Sequence, residues 1–261
     1  MTDPILSRLR DAGRNVAIAT TRDLEDFGSL RASGLAEGEF LGEGIRVVRR
    51  MLARGRVRRV LCTPEWAEAL PIPPEVEVLL APADELRRVV GYQFHQCVMA
   101  LGPIPASVPI EGSLFVALDG LTSTENVGAL VRSAAGFGAD GVIVGPESAS
   151  PWLRRAVRSA MGTTLDVPIH HVDDLPGALS GLHAYAAHTL GERRSYLDVD
   201  LASPCCVVFG SEDKGIRPEV LAACRGGAIY IEMDRGVECL NVAASSAVVL
   251  AEARRQRLSR R

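Results

Sequence analysis

Lysine is nearly missing from this chain: Lys214 is the only one among 261 residues, and every other permanently cationic side chain is arginine. No apolar run reaches membrane-spanning length, and the N-terminus, MTDPILSRLR, lacks the apolar segment of a secretory signal. Both absences point to a cytoplasmic protein with no membrane partner. The six cysteines (Cys62, Cys97, Cys205, Cys206, Cys224, Cys239) include no Cys-x-x-Cys pair and no disulfide-like framework, so reduced thiols are expected. The five histidines show no H-E-x-x-H or related ligand spacing, and no metal is expected. Nor is there a G-x-G-x-x-G turn after the strand LFVALDG, a G-x-x-x-x-G-K-[ST] loop or a G-x-S-x-G elbow. The commonest dinucleotide, nucleoside-triphosphate and hydrolase sites are thereby excluded.

What is present is ordinary in bulk and informative in order. Hydrophobic residues make up 47% and charged residues 23%, the balance of a globular protein. The length is comfortable for two domains. Net charge is -3, so nothing global advertises a polyanionic partner, yet arginines cluster at 46–59, at 154–158 and in the tail ARRQRLSRR. Such patches can hold phosphate locally; a solvated surface explains any single cluster equally well. The Pro/Gly/Ser-rich segment 102–113 is expected to be a linker between domains at 1–101 and 114–261. In the first, EGIRVVRRMLARG predicts a helix with Ile45, Val48, Met51 and Leu52 on one face and Arg46, Arg49, Arg50 and Arg54 on the other. VRRVLCTP, VEVLLAP and QCVMALGPI read as strands and PADELRRVVGY as a helix, a small α/β or α+β domain. In the second, the runs LFVALDG, GVIVG, LDVPIHHV, HAYAAHT, CCVVFG and AIYIEM alternate with helical patterns. That alternation predicts an α/β domain with a parallel sheet covered on both faces. The helix NVGALVRSAAGFG places Val127, Leu130, Val131, Ala134 and Ala135 on one stripe. PWLRRAVRSAMG, expected to start at Ser150-Pro151, carries Arg154, Arg155 and Arg158 opposite its apolar side.

Ligands of open parallel sheets sit at the carboxyl ends of strands, and three such ends carry unusual residues: LDGLTSTENVGALVRSA, VVFGSEDKGIRPEV and IEMDRGVECLNVAASSA. Singly, each has a plain reading. Asn126 and Asn241 are helix caps, Arg132 a surface ion-pair partner, Gly210 a turn glycine. As an ordered set, with Gly128 leaving room for Arg132 and Glu212 following Gly210, they outline a site. The small residues Ala243, Ala244, Ser245 and Ser246 let the last helix approach another backbone closely.

The order of these segments resembles the SpoU/TrmH family of RNA ribose 2′-O-methyltransferases, of the SPOUT superfamily. The family pattern N-x-G-A-x-x-R-[ST]-A is matched at Asn126, Gly128, Ala129, Arg132, Ser133 and Ala134. G-x-E-x-x-G-[ILM] is matched at Gly210, Glu212, Gly215 and Ile216, and IEMDRGVECLNVAAS is similar to the third motif. SPWLRRAVRSAMGTTLDVPI resembles the element between the first two, and GEFLGEGIRVVRRML more weakly resembles the helix of a small ribosomal-protein-like substrate-binding domain. The resemblance implies a parallel sheet with a C-terminal trefoil knot, an exception to the rule against threaded chains. It implies S-adenosylmethionine as cofactor, held around Ala187, His188, Gly210, Ile231, Met233 and Leu240. It implies a homodimer through the knotted domain. Arg132, Asn126, Glu212, Asn241 and Cys239 would be the catalytic group. Arg132 would bind a phosphate and stabilise charge on the attacking oxygen, Asn126 and Asn241 would orient it and the ribose, and Glu212 would fix the loop or hold Arg132. Arg46, Arg50, Arg154, Arg155 and Arg158 would grip RNA.

This sequence departs from the pattern where Cys239 and Ala243 replace serines, Glu232 replaces the proline of I-P-M, and Ser123-Thr124 replaces Asp-Pro. These are the positions at which turnover and substrate preference would change. The expected activity is therefore methyl transfer from S-adenosylmethionine to a ribose 2′-hydroxyl of structured RNA, ribosomal RNA first and transfer RNA as the alternative. The competing readings are an RNA-binding or assembly factor that keeps the fold without efficient chemistry, and a small-molecule nucleotide enzyme.

Overall fold

The computed structural model describes residues 4–28, 38–90, 96–188 and 191–260. Gly91, Tyr92, Thr189 and Arg261, which belong to three of the predicted segments, lie outside them.

In the first part of the chain α1 (Pro4–Asp11) leads into β1 (Val16–Ile18), α2 (Thr21–Gly28), β2 (Glu39–Glu43), α3 (Ile45–Ala53), β3 (Arg59–Cys62), α4 (Pro64–Ala69), β4 (Glu77–Leu80), α5 (Ala83–Val90) and β5 (Val98–Pro103). The five strands form a mixed sheet in the order β1-β4-β3-β5-β2, with β5 antiparallel to both its neighbours. Phe27, Leu41, Leu61, Leu79, Leu86 and Met99 fill one face. The arginine helix is α3, and its inward stripe is Val47, Val48 and Met51. Ile45 and Leu52, predicted on that stripe, are only half-buried, so the buried face is turned by about one residue.

The second part begins with β6 (Leu114–Asp119), α6 (Thr124–Phe137) and β7 (Gly141–Val144). Next comes α7 (Arg154–Ser159), then β8 (Ile169–His171), α8 (Leu175–Leu179), β9 (Ala184–Ala187), β10 (Arg194–Ser195), β11 (Cys205–Gly210), α9 (Pro218–Ala223), β12 (Gly227–Tyr230) and α10 (Val242–Ser259). The seven strands run β10-β12-β9-β11-β6-β7-β8, and every pairing is parallel, as the sequence predicts. All residues of β6 and β7 are buried, the signature of a sheet covered on both faces. The strand predicted over LDVPIHHV shortens to β8, because Pro168 has no N–H for the ladder and Leu165 ends a 3₁₀ turn.

The two compact units are not the two predicted segments. One contains 1–105 with 152–165, the other 106–151 with 166–261. The segment around α7 joins the first unit because Trp152 packs on Phe40, with ring centroids 5.0 Å apart, and because Arg154 meets Glu43. The Nε of Arg154 donates to Glu43 Oε2 at 2.8 Å, and the two side chains are 4% and 3% exposed. The expectation that Arg154 faces solvent, ready for RNA, is therefore corrected: it is a buried partner of Glu43. Helix α7 also begins at Arg154 behind Leu153, not at the Ser150-Pro151 pair. Truncating Arg154 strands a buried carboxylate with only Arg158, 3.5 Å away, to compensate. Arg154→Ala should lower unfolding free energy by about 3 kcal/mol, read from denaturant midpoints.

Candidate active site

Three neighbouring strands end at one opening. Ala187 closes β9, Gly210 closes β11 and Tyr230 closes β12, and all three line a cavity of about 510 Å³. That volume lies in the range of small-molecule sites, at the strand ends where open parallel sheets bind ligands. Its remaining wall comes from the turn 211–215 and from residues 238–242 at the start of α10.

Backbone builds much of this wall. A Cβ on Gly210 would stand 2.4 Å from the carbonyl carbon of Gly215 and 2.5 Å from the nitrogen of Ile216. Gly215 itself has φ +70°, a conformation that favours glycine. Between them, Ser211 and Gly215 exchange two backbone hydrogen bonds of 3.1 and 2.9 Å, closing a tight loop. The apolar contribution includes Phe209, Ile229, Ile231, Leu240 and Val249.

Asn126 ties two sides of the opening together. Its Nδ2 donates to Glu212 on the loop, and its Oδ1 accepts from Asn241 Nδ2 at 3.1 Å. Asn241 also caps α10, its Oδ1 accepting from the Ala243 N–H at 2.9 Å. Asn126 is not the cap of its own helix. Ser123 is, and its hydroxyl accepts from the Asn126 N–H at 3.3 Å. The serine that replaces the aspartate of the family pattern thus does the capping and frees the Asn126 side chain for the site.

The predicted residues divide clearly. Ala187, His188, Gly210, Ile231, Met233 and Leu240 all line the cavity, together with Glu212, Cys239 and Asn241. Arg132 does not. It is exposed on α6 and, among the described residues, has no hydrogen-bond or ion-pair partner. Glu212 was expected to fix the loop or hold Arg132; within this chain it accepts from Asn126. Arg46, Arg155 and Arg158 are exposed and Arg50 half-buried in the first unit. Of the basic tail, Arg257 is structural, donating to the carbonyls of Leu201, Ser113 and Ser203 at 2.8–3.0 Å. Sequence reasoning missed Lys214, Ser211 and Ser245 as cavity residues. The signal for Lys214 was available, since the one lysine of the chain sits inside the second motif.

Five cysteines are buried and Cys239 is exposed. Desolvation pushes the Cys62 and Cys224 thiols up to about 12 and Cys206 well above its ordinary value. A thiol reagent added to the native protein should therefore react rapidly with one thiol, Cys239, and with the rest only on unfolding. Peptide mapping reads the site, and saturating S-adenosylmethionine should slow the labelling.

A doubly covered parallel α/β domain with a partly backbone-built cavity at its strand ends defines the class of open α/β folds that bind ligands at their strand ends. Within that class the assignment is specific. The sequence profile of the SpoU rRNA Methylase family matches residues 113–251, and the chain belongs to that family. An uncharacterized tRNA/rRNA methyltransferase of Mycobacterium bovis is 30% identical over 254 residues, covering 88% of this chain and 86% of the relative. One from Mycobacterium avium is 30% identical over 197 residues, a match that covers 70% of this chain and spans 63% of the relative's length. Among solved structures, the SpoU methyltransferase AviRb from Streptomyces viridochromogenes in complex with AdoMet superposes with a TM-score of 0.79 at 25% identity. It is covered over 92% of this chain and 100% of that one. A protein from Porphyromonas gingivalis assigned to the TrmH family of RNA methyltransferases reaches 0.81 at 29% identity, over 92% of this chain and 100% of its own.

The cavity has features that fit the AdoMet held by the AviRb complex. Gly210 and Gly215 contribute backbone to its wall, Ile229, Ile231, Leu240 and Val249 offer apolar surface, and Ser211, Lys214 and Ser245 offer polar groups. Among the described residues no helix is long and apolar enough to cross a membrane.

Proposed function

We propose that this protein methylates a ribose 2′-hydroxyl of a structured RNA, ribosomal RNA first and transfer RNA second, using S-adenosylmethionine. The observation that carries the reading is the brace Glu212–Asn126–Asn241. It joins residues of all three motifs at the mouth of the cavity. The M. bovis and M. avium relatives bear the name tRNA/rRNA methyltransferase, which supports RNA as the substrate class.

S-adenosylmethionine supplies an electrophilic methyl group on a sulfonium. The chain's residues must bring a ribose hydroxyl into line with it and stabilise the oxygen as its proton leaves. Ala187, His188, Gly210, Ile231, Met233 and Leu240 hold the cofactor. Asn241, fixed by its bond to Asn126, orients the ribose, and Cys239 stands beside it in place of a serine. The Arg132 guanidinium binds a substrate phosphate and stabilises developing negative charge, a role compatible with activating the hydroxyl with help from that phosphate. Its exposure outside its own chain's cavity supports action across a homodimer, each subunit lending Arg132 to the other. The knotted C-terminal topology is proposed with the same family assignment. Arg46, Arg50, Arg155 and Arg158 contribute phosphate contacts in the first unit, whereas Arg154 does not.

The test is incubation of the purified protein with labelled S-adenosylmethionine and total RNA, followed by mapping. Methylation of a 2′-hydroxyl blocks alkaline cleavage at that nucleotide, which locates the product and distinguishes ribose from base modification. Cofactor binding without label in any RNA would count strongly against the enzyme and favour the RNA-binding factor.

A further inference from the structure

The loop that carries Glu212 is fastened at its base by one buried carboxylate. Asp119 ends β6 directly beside Gly210, its partner in the strand register. Its side chain is 0% exposed. Oδ2 accepts the backbone N–H of Arg217 at 2.8 Å, and Oδ1 accepts Arg217 Nε at 2.7 Å. The chain thus leaves β11 beside Asp119, makes the turn 211–215, buries Ile216 and returns to the same carboxylate before α9 begins.

The tip has few other restraints. Glu212, Asp213 and Lys214 are exposed. The N–H groups of Asp213 and Lys214 reach only the Ser211 hydroxyl inside the loop, at 3.3 and 3.4 Å. The bond from Asn126 to Glu212 is the link that reaches outward from the tip. Small rotations at the base would therefore be magnified at Glu212, and from there through Asn126 to Asn241.

Stability alone is a poor account of the pair. Burying the Asp119 carboxylate against an arginine whose side chain stays 33% exposed costs desolvation energy that their attraction only partly offsets. Arg217 is not even fully satisfied: its Nη2 is buried without a hydrogen-bond partner, and Glu219 lies 3.5 Å from Nη1. What the pair offers is direction, since a carboxylate that takes a backbone N–H and a side-chain N–H of one residue admits a single orientation.

We propose that Asp119 and Arg217 are positioning residues for methyl transfer, setting the angle of the 211–215 loop so that Glu212 meets Asn126. Burial works against the Arg217 charge, and the hydrogen bond and charge of Asp119 overcome it, so the Arg217 pKa is raised. The kinetic part rests on the function proposed above; the loop geometry does not.

The experiment uses the full chain with Arg217→Met, Arg217→Lys and Asp119→Asn, alone and with Glu212→Ala, which removes the acceptor of Asn126 Nδ2. In Arg217→Met, amides of 211–216 should exchange with solvent at least about tenfold faster, while those of β6 and β11 keep their protection. The kcat should fall about tenfold with the KM for RNA little changed. In the Glu212→Ala background the Arg217 substitution should lower kcat no further, because both act through one contact. Arg217→Lys should recover part of the loss. Asp119→Asn keeps an acceptor for the backbone N–H and serves if Arg217→Met does not fold. Unchanged loop exchange overturns the proposal, and so does a kcat loss additive with Glu212→Ala. If wild type methylates no RNA, the functional reading fails, and the pair is still decided by loop exchange together with S-adenosylmethionine affinity. A loosened loop with weaker binding upholds positioning, and no change in either overturns it.

Discussion

Arg132→Ala should lower methyl transfer to RNA by about 10²–10³-fold in kcat, the loss typical when one donor that stabilises developing oxyanion charge is removed. The structure separates this effect from trivial causes. Arg132 is exposed on α6 without a partner among the described residues, so its truncation should shift stability by no more than about 0.5 kcal/mol. It does not line the cavity, so calorimetric binding of S-adenosylmethionine should be unchanged. A variant that folds, binds cofactor and transfers no methyl is the expected result; one that keeps wild-type turnover would remove Arg132 from the chemistry.

Gly210→Ala should abolish cofactor binding by the opposite route. The added Cβ meets Gly215 carbon at 2.4 Å, Ile216 nitrogen at 2.5 Å and Gly215 oxygen at 2.6 Å, all of them backbone. No side-chain rotation relieves that contact. The turn must open, and with it the wall of the cavity. We expect the dissociation constant for S-adenosylmethionine to rise about 100-fold or more, with about 1–3 kcal/mol lost from folding stability as for other overpacked sites. Gly136→Ala is the control: a Cβ there meets nothing within 4 Å, so affinity should hold. The two inactive variants also test the dimer. If Arg132 serves the partner's cavity, mixed subunits of Arg132→Ala and Gly210→Ala should regain activity that neither shows alone. A mixture as inactive as its components would place both residues in one subunit's site.

Much of the catalytic unit was legible because its signals are local. Buried parallel strands need unbroken apolar runs, and LFVALD and CCVVFG supply them. The cavity residues from Ala187 to Leu240 followed from the resemblance of the motifs to the family pattern, and all of them line the cavity. The errors share another cause. Arg154 was expected at the surface because arginines usually are, yet Glu43, distant in sequence, draws it inward and takes the 152–165 segment into the first unit. A helix cap was the plain reading of Asn126, but Ser123, three residues earlier, takes that role. Glu212 was expected to fix the loop or hold Arg132, and only the folded chain reveals that Asn126 is in reach. The Asp119–Arg217 pair joins two unrelated segments and had no local signal.

The sequence by itself determined the class of sheet, the three motifs and the residues that end its strands, because apolar periodicity and backbone-driven turns act over a few residues. The tertiary structure decided which polar groups meet. Asn126 bridges Glu212 and Asn241, Asp119 holds Arg217, Glu43 buries Arg154, and Arg132 is left facing solvent. Hydrogen bonds and ion pairs need ångström placement of groups about a hundred residues apart, and only the packed sheet and helices bring them within that distance.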